Sequence, residues 1–242
     1  MFGQFTDWII KRMSKEKKVF EKGAFKEFRN EFVPNYFLMI LTAVIYMALV
    51  YVYGWSNNFV QNLTLFKFAL LVPILLATFV IDYRLQIIPN RLNLTLFEIG
   101  IIFTFLYGFS NINIAADMCL GLIAGGGVFL LITLIGGLIA GKEAMGFGDV
   151  KLMCGLGLMF GLGGTIIVTL LSFLIGAILS IMLLVSKKKK TSEYIPFGPF
   201  IVIASFISMF VPFIYLATAL MKIFTLRFVL KGWFLWIQEL NV

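Results

Sequence analysis

The chain has 242 residues, of which 61% are hydrophobic and 13% charged, and its net charge is +8. Soluble domains are about 45–50% apolar and about 25% charged, so this composition indicates an all-α, polytopic membrane protein without a large soluble domain. Histidine is absent, which excludes serine–histidine and cysteine–histidine catalysis and histidine-based zinc sites. The two cysteines, Cys119 and Cys154, form no CxxC pair, so we expect no metal and no cofactor.

The N-terminal segment, residues 1–35, carries eight basic and five acidic residues. Mixed charge next to a membrane span favours a segment at the membrane surface over a nucleic-acid-binding arm. Its first thirteen residues place apolar side chains at near-helical spacing, which predicts an interfacial helix. No long apolar stretch follows at once, so a secretory signal is not expected. We therefore divide the chain into this segment and a transmembrane domain over 36–242.

Hydrophobic stretches of about 20 residues are long enough to cross a bilayer as helices. They predict six to seven spans, at 36–54, 65–82, 92–109, 116–140, 150–163, 164–185 and 198–221. The fifth is short and rich in glycine, which is compatible with a half-span or a closely packed helix. Asp117, at the start of the fourth, is most simply a helix cap.

Basic residues are unevenly divided between the two sides of this topology. Sixteen of the 20 fall on the side of the N-terminus, including the run Lys187 to Lys190. Because cytosolic loops are enriched in Lys and Arg, the N-terminus and the loops around Asp82 and Asp149 are predicted to be cytosolic. The C-terminal segment carries basic residues on the opposite side, so its location stays open.

Two aspartates lie at the ends of predicted spans. Asp82 closes the second span in "LLATFVIDYRLQIIPN", and Asp149 opens the fifth in "GKEAMGFGDVKLM". Both ends lie on one side of the membrane, so the carboxyl groups can form a pair that shares one proton. Such a pair activates water for attack on a peptide carbonyl without a metal or histidine. Free N–H groups at a helix start and free carbonyls at a helix end predict Asp149 as the base and Asp82 as the acid.

Short motifs surround both aspartates. Gly146 and Gly148 permit a sharp turn and leave room for an extended peptide, although a helix-capping role for Asp149 explains the bare motif equally well. Pro89 and Asn90 make a stop between the second and third spans, with Asn90 or Asn93 available as a cap. In "IPFGPF", Pro196 and Gly198 predict a rigid turn before the last span.

The combination "DYRLQIIPNRLN", "GKEAMGFGDVKLMCGLGLMFG" and "IPFGPFI" resembles the bacterial type IV prepilin peptidases, which are membrane aspartyl proteases of the GxGD kind. "AADMCLGLIAGG" also resembles the start of the family's fourth span. The resemblance covers about residues 65–210.

The resemblance implies an endopeptidase of the bacterial cytoplasmic membrane. It implies cleavage of basic leader peptides from prepilins and pseudopilins at the cytosolic face, after a glycine and ahead of an apolar helix. By motif match, Asp82 and Asp149 would be the catalytic pair. Gly146, Gly148 and Lys151 would complete the second motif. The implied partners are these substrates and the lipid bilayer, without nucleic acid.

The chain departs from the family's longer members, which carry a cytosolic insertion with two CxxC pairs and an N-methyltransferase activity. No CxxC pair is present here, so we expect peptidase activity without methyl transfer. A transporter or channel component that uses the aspartates for ion or proton passage is the alternative, although no inverted repeat supports it. The particular prepilin, the oligomeric state and the role of Glu98 stay open.

Overall fold

The computed structural model describes residues 36–140, 145–185 and 196–224, all of them in helices or short connections without a strand. The helices are α1 Tyr36–Tyr53, α2 Phe59–Leu85, α3 Asn90–Ser110, α4 Ile112–Ala140, α5 Phe147–Val185, α6 Gly198–Phe210 and α7 Phe213–Phe224. Helices α1 to α5 are long and apolar enough to cross a bilayer. The predicted all-α, polytopic fold class is confirmed for this part of the chain. The surface segment 1–35 and its interfacial helix lie outside the described residues.

The bundle has an apolar core and an apolar outer surface. Leu71 and Leu75 of α2, Leu96 of α3, Met153 of α5 and Ile201 of α6 are fully buried in one cluster. Large apolar side chains also cover the outside, where water would make them costly. Such an all-round apolar helix surface fits a protein solvated by lipid.

Helix α5 reverses direction at Gly161. This glycine has φ 71° and ψ −179°, a backbone conformation that is not helical and that side-chain-bearing residues avoid. A straight helix from Asp149 to Gly176 would be about 40 Å long at about 1.5 Å per residue. Gly176 instead packs against the start of α6, whose first residue, Gly198, lies against Asp82. Because Asp82 in turn interacts with Asp149, the two arms of α5 must run antiparallel.

This reversal corresponds to the predicted division between spans 150–163 and 164–185. The predicted last span, 198–221, differs from the structure, because α6 ends at Phe210 and a separate short helix follows. Pro212 explains the break, since it cannot donate an N–H and disfavours helix at the residue before it.

The start of α4 also differs from the prediction. The helix begins at Ile112, and the side chain of Asn111 accepts a hydrogen bond from the backbone N–H of Asn113 at 2.9 Å. Asp117 therefore lies inside α4 and does not cap it. Its carboxyl group instead packs against Gly161 at the reversal of α5.

Helices α4 and α5 approach each other through glycines. A Cβ atom added to Gly121 would overlap the carbonyl of Gly157, and one added to Gly157 would overlap the backbone of Gly121. Small residues allow this backbone-to-backbone contact in lipid, where close packing stabilises helix association. The contact holds the first arm of α5, and hence Asp149 at its start, against the bundle.

Candidate active site

Asp82 lies in the last turn of α2 and is only 3% exposed. The helix ends at Leu85, and the next residue, Gln86, adopts a left-handed conformation with φ 56° and donates its N–H to the Asp82 carbonyl at 2.9 Å. The side-chain oxygen Oδ2 of Asp82 is buried without a hydrogen-bond partner. A buried, unpartnered carboxylate oxygen is costly and points to a functional role.

Asp149 lies in the first turn of α5 and is also 3% exposed. Its backbone N–H donates to the carbonyl of Gly146 at 3.0 Å, and its carboxyl group reaches back to the backbone N–H of Gly146. Gly146 immediately precedes the helix, so Asp149 occupies the third helical position and is not the N-cap residue. A carboxylate at this position that returns to the capping residue satisfies one of the free N–H groups of a helix start.

The fold brings the two predicted aspartates together. Their carboxyl groups are close enough to interact electrostatically, although the residues lie on separate helices and far apart in sequence. Two buried carboxyl groups that interact in this way each disfavour ionisation of the other, which is the condition under which a carboxyl pair can share one proton. It can therefore supply an acid and a base to one reaction.

The start of α6 lies directly against Asp82. The backbone N–H of Gly198 interacts with the Asp82 carboxyl group, and a Cβ at this position would lie well under 3.0 Å from Oδ2. Pro196, half-buried, precedes this contact. Asp82 therefore meets a helix N-terminus from α6, just as Asp149 meets that of α5. The helix-end argument for Asp82 as the acid and Asp149 as the base consequently loses its basis.

Two hydrogen bonds from α3 and one packing contact from the loop before it hold the start of α5. Asn93, which is 4% exposed, donates its Nδ2 group to the carbonyl of Gly148 at 3.2 Å. Lys151 donates its Nζ group to Oδ1 of Asn90 at 2.7 Å. A Cβ on Gly148 would lie 3.2 Å from Cβ of Ile88. The residues on both sides of Asp149 are thus held by the start of α3 and by the loop that joins it to α2.

Pro89 is the N-cap residue of α3 and so determines where this helix begins. Its carbonyl accepts the N–H groups of Leu92 at 3.0 Å and Asn93 at 3.3 Å. Neither Asn90 nor Asn93 caps the helix as predicted, because both lie inside it and their side chains contact α5. The contact between Asn93 and Gly148 was missed from the sequence, where only the proximity of Asn93 to the Pro89–Asn90 stop pointed to it.

Within the described ranges, no cluster of three Cys, Asp or Glu side chains could hold a metal ion. Glu98 is exposed on α3. The run Lys187 to Lys190 lies outside the described residues, so its predicted cytosolic location stays a prediction.

Residues 69–181 match the sequence model of the type IV leader peptidase family, a region that includes both aspartates. Several curated proteins named "Prepilin leader peptidase/N-methyltransferase" are similar to the chain. That of Aeromonas hydrophila is 37% identical over 140 residues, which cover 58% of this chain and 47% of the relative. That of Xanthomonas campestris pv. campestris is 32% identical over 174 residues, covering 71% and 56% respectively. The chain spans about half the length of the curated relatives it matches. No solved structure matches it.

Proposed function

The chain belongs to the type IV prepilin peptidase family, and we propose that it is an aspartic endopeptidase embedded in the membrane. The observation that carries this proposal is the buried pair formed by Asp82 and Asp149, whose carboxyl groups interact at one end of the helical bundle. Gly198 and Gly146 present backbone N–H groups to Asp82 and Asp149 respectively.

One carboxyl group of the pair accepts a proton from a water molecule while the water oxygen attacks the peptide carbonyl. The other donates its proton to the carbonyl oxygen, which stabilises the tetrahedral intermediate. Collapse of the intermediate breaks the C–N bond, and a proton passes to the leaving amine. No other ionisable group is required for this cycle.

The proposed substrate is a type IV prepilin or pseudopilin with a basic leader, cut after a glycine at the cytosolic face. The family relationship supports this substrate class, and the names of the relatives agree with it. The uneven distribution of basic residues supports a cytosolic N-terminus. On that orientation, the aspartate pair faces the cytosol from a multi-pass protein of the cytoplasmic membrane.

We further propose that this chain, as it stands, does not methylate the new N-terminus. Its two cysteines lie in separate helices, Cys119 in α4 and Cys154 in α5. They cannot form the CxxC pairs that accompany methyl transfer in the longer family members. Given S-adenosylmethionine and a prepilin, the purified chain should release an unmethylated product. A methyl group on that product in mass spectrometry would contradict this proposal.

The proposed peptidase activity is tested with purified protein in detergent and a synthetic prepilin N-terminal peptide. The peptide contains a basic leader, a glycine and an apolar segment. Mass spectrometry should find one cut, directly after the glycine. A second peptide with the glycine replaced by valine should be cleaved far more slowly. Absence of any cut in the first peptide, with protein that remains folded, would overturn the proposal.

A further inference from the structure

A cleft of about 420 Å³ opens between α3 and the first arm of α5. Its lining consists of Asn90, Asn93, Leu94, Phe97, Lys151 and Cys154. Leu94 is 57% exposed at its edge, so the cleft can be entered from the side of the bundle.

This cleft shares its polar lining with the turn that carries Asp149. Asn93 contacts Gly148, the residue before Asp149, and Lys151 follows Asp149 by two residues and contacts Asn90. The cleft therefore lies next to the turn that carries Asp149.

The residues that line the cleft favour the apolar segment of a prepilin over its basic leader. Lys151 contributes a positive charge to the lining, which repels a basic leader. Leu94 and Phe97 contribute apolar surface, which favours an apolar segment.

Asn93 adds a hydrogen-bond acceptor that can bind a free backbone N–H group of an unwound substrate. Its Oδ1 atom is buried and has no hydrogen-bond partner, whereas its Nδ2 group is already used by Gly148. A substrate helix must unwind around the bond to be cut, which frees backbone N–H groups that need acceptors in an apolar environment. Small side-chain movements on binding would bring such an N–H group to Oδ1.

We propose that the cleft between α3 and α5 binds the apolar segment that follows the scissile bond, in an unwound form, and that the basic leader lies elsewhere. This inference rests on the proposed function, because it assigns one half of the proposed substrate to this site.

The test places a reporter thiol at the edge of the cleft with Leu94→Cys, combined with Cys154→Ala. The native Cys119, which is exposed on α4 away from the cleft, remains in the same molecule as an internal control. A small alkylating reagent labels both thiols, and mass spectrometry follows each separately. Three peptides are added in turn: the whole prepilin N-terminus, the leader alone and the apolar segment alone.

The apolar segment and the whole peptide should each slow labelling at position 94 about tenfold when present at about ten times their Kd. The leader alone should leave that rate unchanged, and labelling of Cys119 should not respond to any peptide. Equal protection by the leader, or no protection by peptides that this variant cleaves, would overturn the inference.

The two proposals can fail separately. Protection by the apolar segment without cleavage of the whole peptide would support the cleft and contradict the peptidase. Cleavage without protection would support the peptidase and contradict the cleft. Neither cleavage nor protection by the folded variant would contradict both.

Discussion

At the scale of single residues, both carboxyl groups are held by glycine backbone. Asp149 contacts the N–H of Gly146, and Asp82 contacts that of Gly198. Backbone N–H groups at helix starts can stabilise negative charge that develops during a reaction. Glycine at position 198 also lets the backbone of α6 approach the Asp82 carboxyl group closely.

Gly198→Ala should lower kcat/KM by about 100-fold, the loss expected when a reacting group moves by about 1 Å. The added Cβ overlaps the Asp82 carboxyl group, so either α6 or the aspartate must shift. Gly148→Ala should cost less than about tenfold, because its Cβ would meet Ile88 at 3.2 Å and a small adjustment suffices.

Gly127→Ala is the matched control for both variants, since a Cβ there meets nothing within 4 Å. Its activity should equal that of the parent protein. An activity of Gly198→Ala equal to that of this control would contradict the contact between α6 and Asp82.

Asn93→Leu should lower kcat about tenfold. The substitution leaves the Gly148 carbonyl without its donor, and a lost hydrogen bond to a buried group costs about 1–3 kcal/mol. Asp149 is then less well positioned, so saturating substrate should not restore the rate. Thr95→Val, which removes a hydroxyl group from the same helix, is the control. A full rate for Asn93→Leu at saturating substrate would exclude a positioning role.

At the scale of secondary structure elements, the reversal of α5 determines where the site can form. Its first arm carries Asp149, and its second arm returns to pack Gly176 against the start of α6. That packing supports the position of Gly198 beside Asp82. The turn at Gly161, at the far end of the bundle, therefore helps to place both halves of the site.

Gly161→Ala should lower the free energy of unfolding by at least about 1–3 kcal/mol, the cost of a strained backbone conformation. The positive φ strains any side-chain-bearing residue, and the added Cβ overlaps the Asp117 carboxyl group. Thermal unfolding in detergent measures this change against Gly127→Ala. An unchanged midpoint would mean that α5 does not reverse at Gly161.

At the scale of the whole molecule, the two ends of the bundle carry different polar groups. Lys67 lies about 22 Å from Asp82 along the axis of α2 and is 8% exposed. Its Nζ group lies over the rings of Phe68 and Tyr107, at 5.0 Å and 5.1 Å from their centroids. It also interacts electrostatically with Asp117. This group belongs to the architecture of the far end and lies far from the proposed reaction.

Lys67→Met should leave kcat within about twofold of the parent, because substitutions remote from a reacting centre act independently of it. The thermal midpoint should fall, since the substitution removes one partner of the interaction between Lys67 and Asp117 and leaves the Asp117 carboxylate without its counter-charge. Loss of most of the activity without unfolding would show that the two ends are coupled.

The pattern of hydrophobic residues and glycines in the sequence predicted much of the fold but few of the contacts that form the site. Hydrophobic length predicted the spans except the last one, and the glycine-rich stretch indicated the break in α5. The predicted topology brought Asp82 and Asp149 to the same end of the bundle, and their carboxyl groups do interact there. The contacts of Asn93 with Gly148 and of Gly198 with Asp82 join residues from different helices, so they depend on how the bundle packs. The assignment of acid and base stays a prediction, because the reasoning from helix ends omitted the N-terminus that α6 brings to Asp82.

The central claim is that Asp82 and Asp149 together cleave a peptide bond. It is tested most directly by the cleavage rate of Asp82→Asn and Asp149→Asn, measured on one prepilin peptide. Asp117→Asn serves as a carboxylate-to-amide control at the far end. Each of the first two variants should lose at least about 100-fold in kcat, the lower range of a general acid–base contribution, while it remains folded in the membrane. The control should retain its rate. Substantial turnover by either Asp82→Asn or Asp149→Asn would contradict the account.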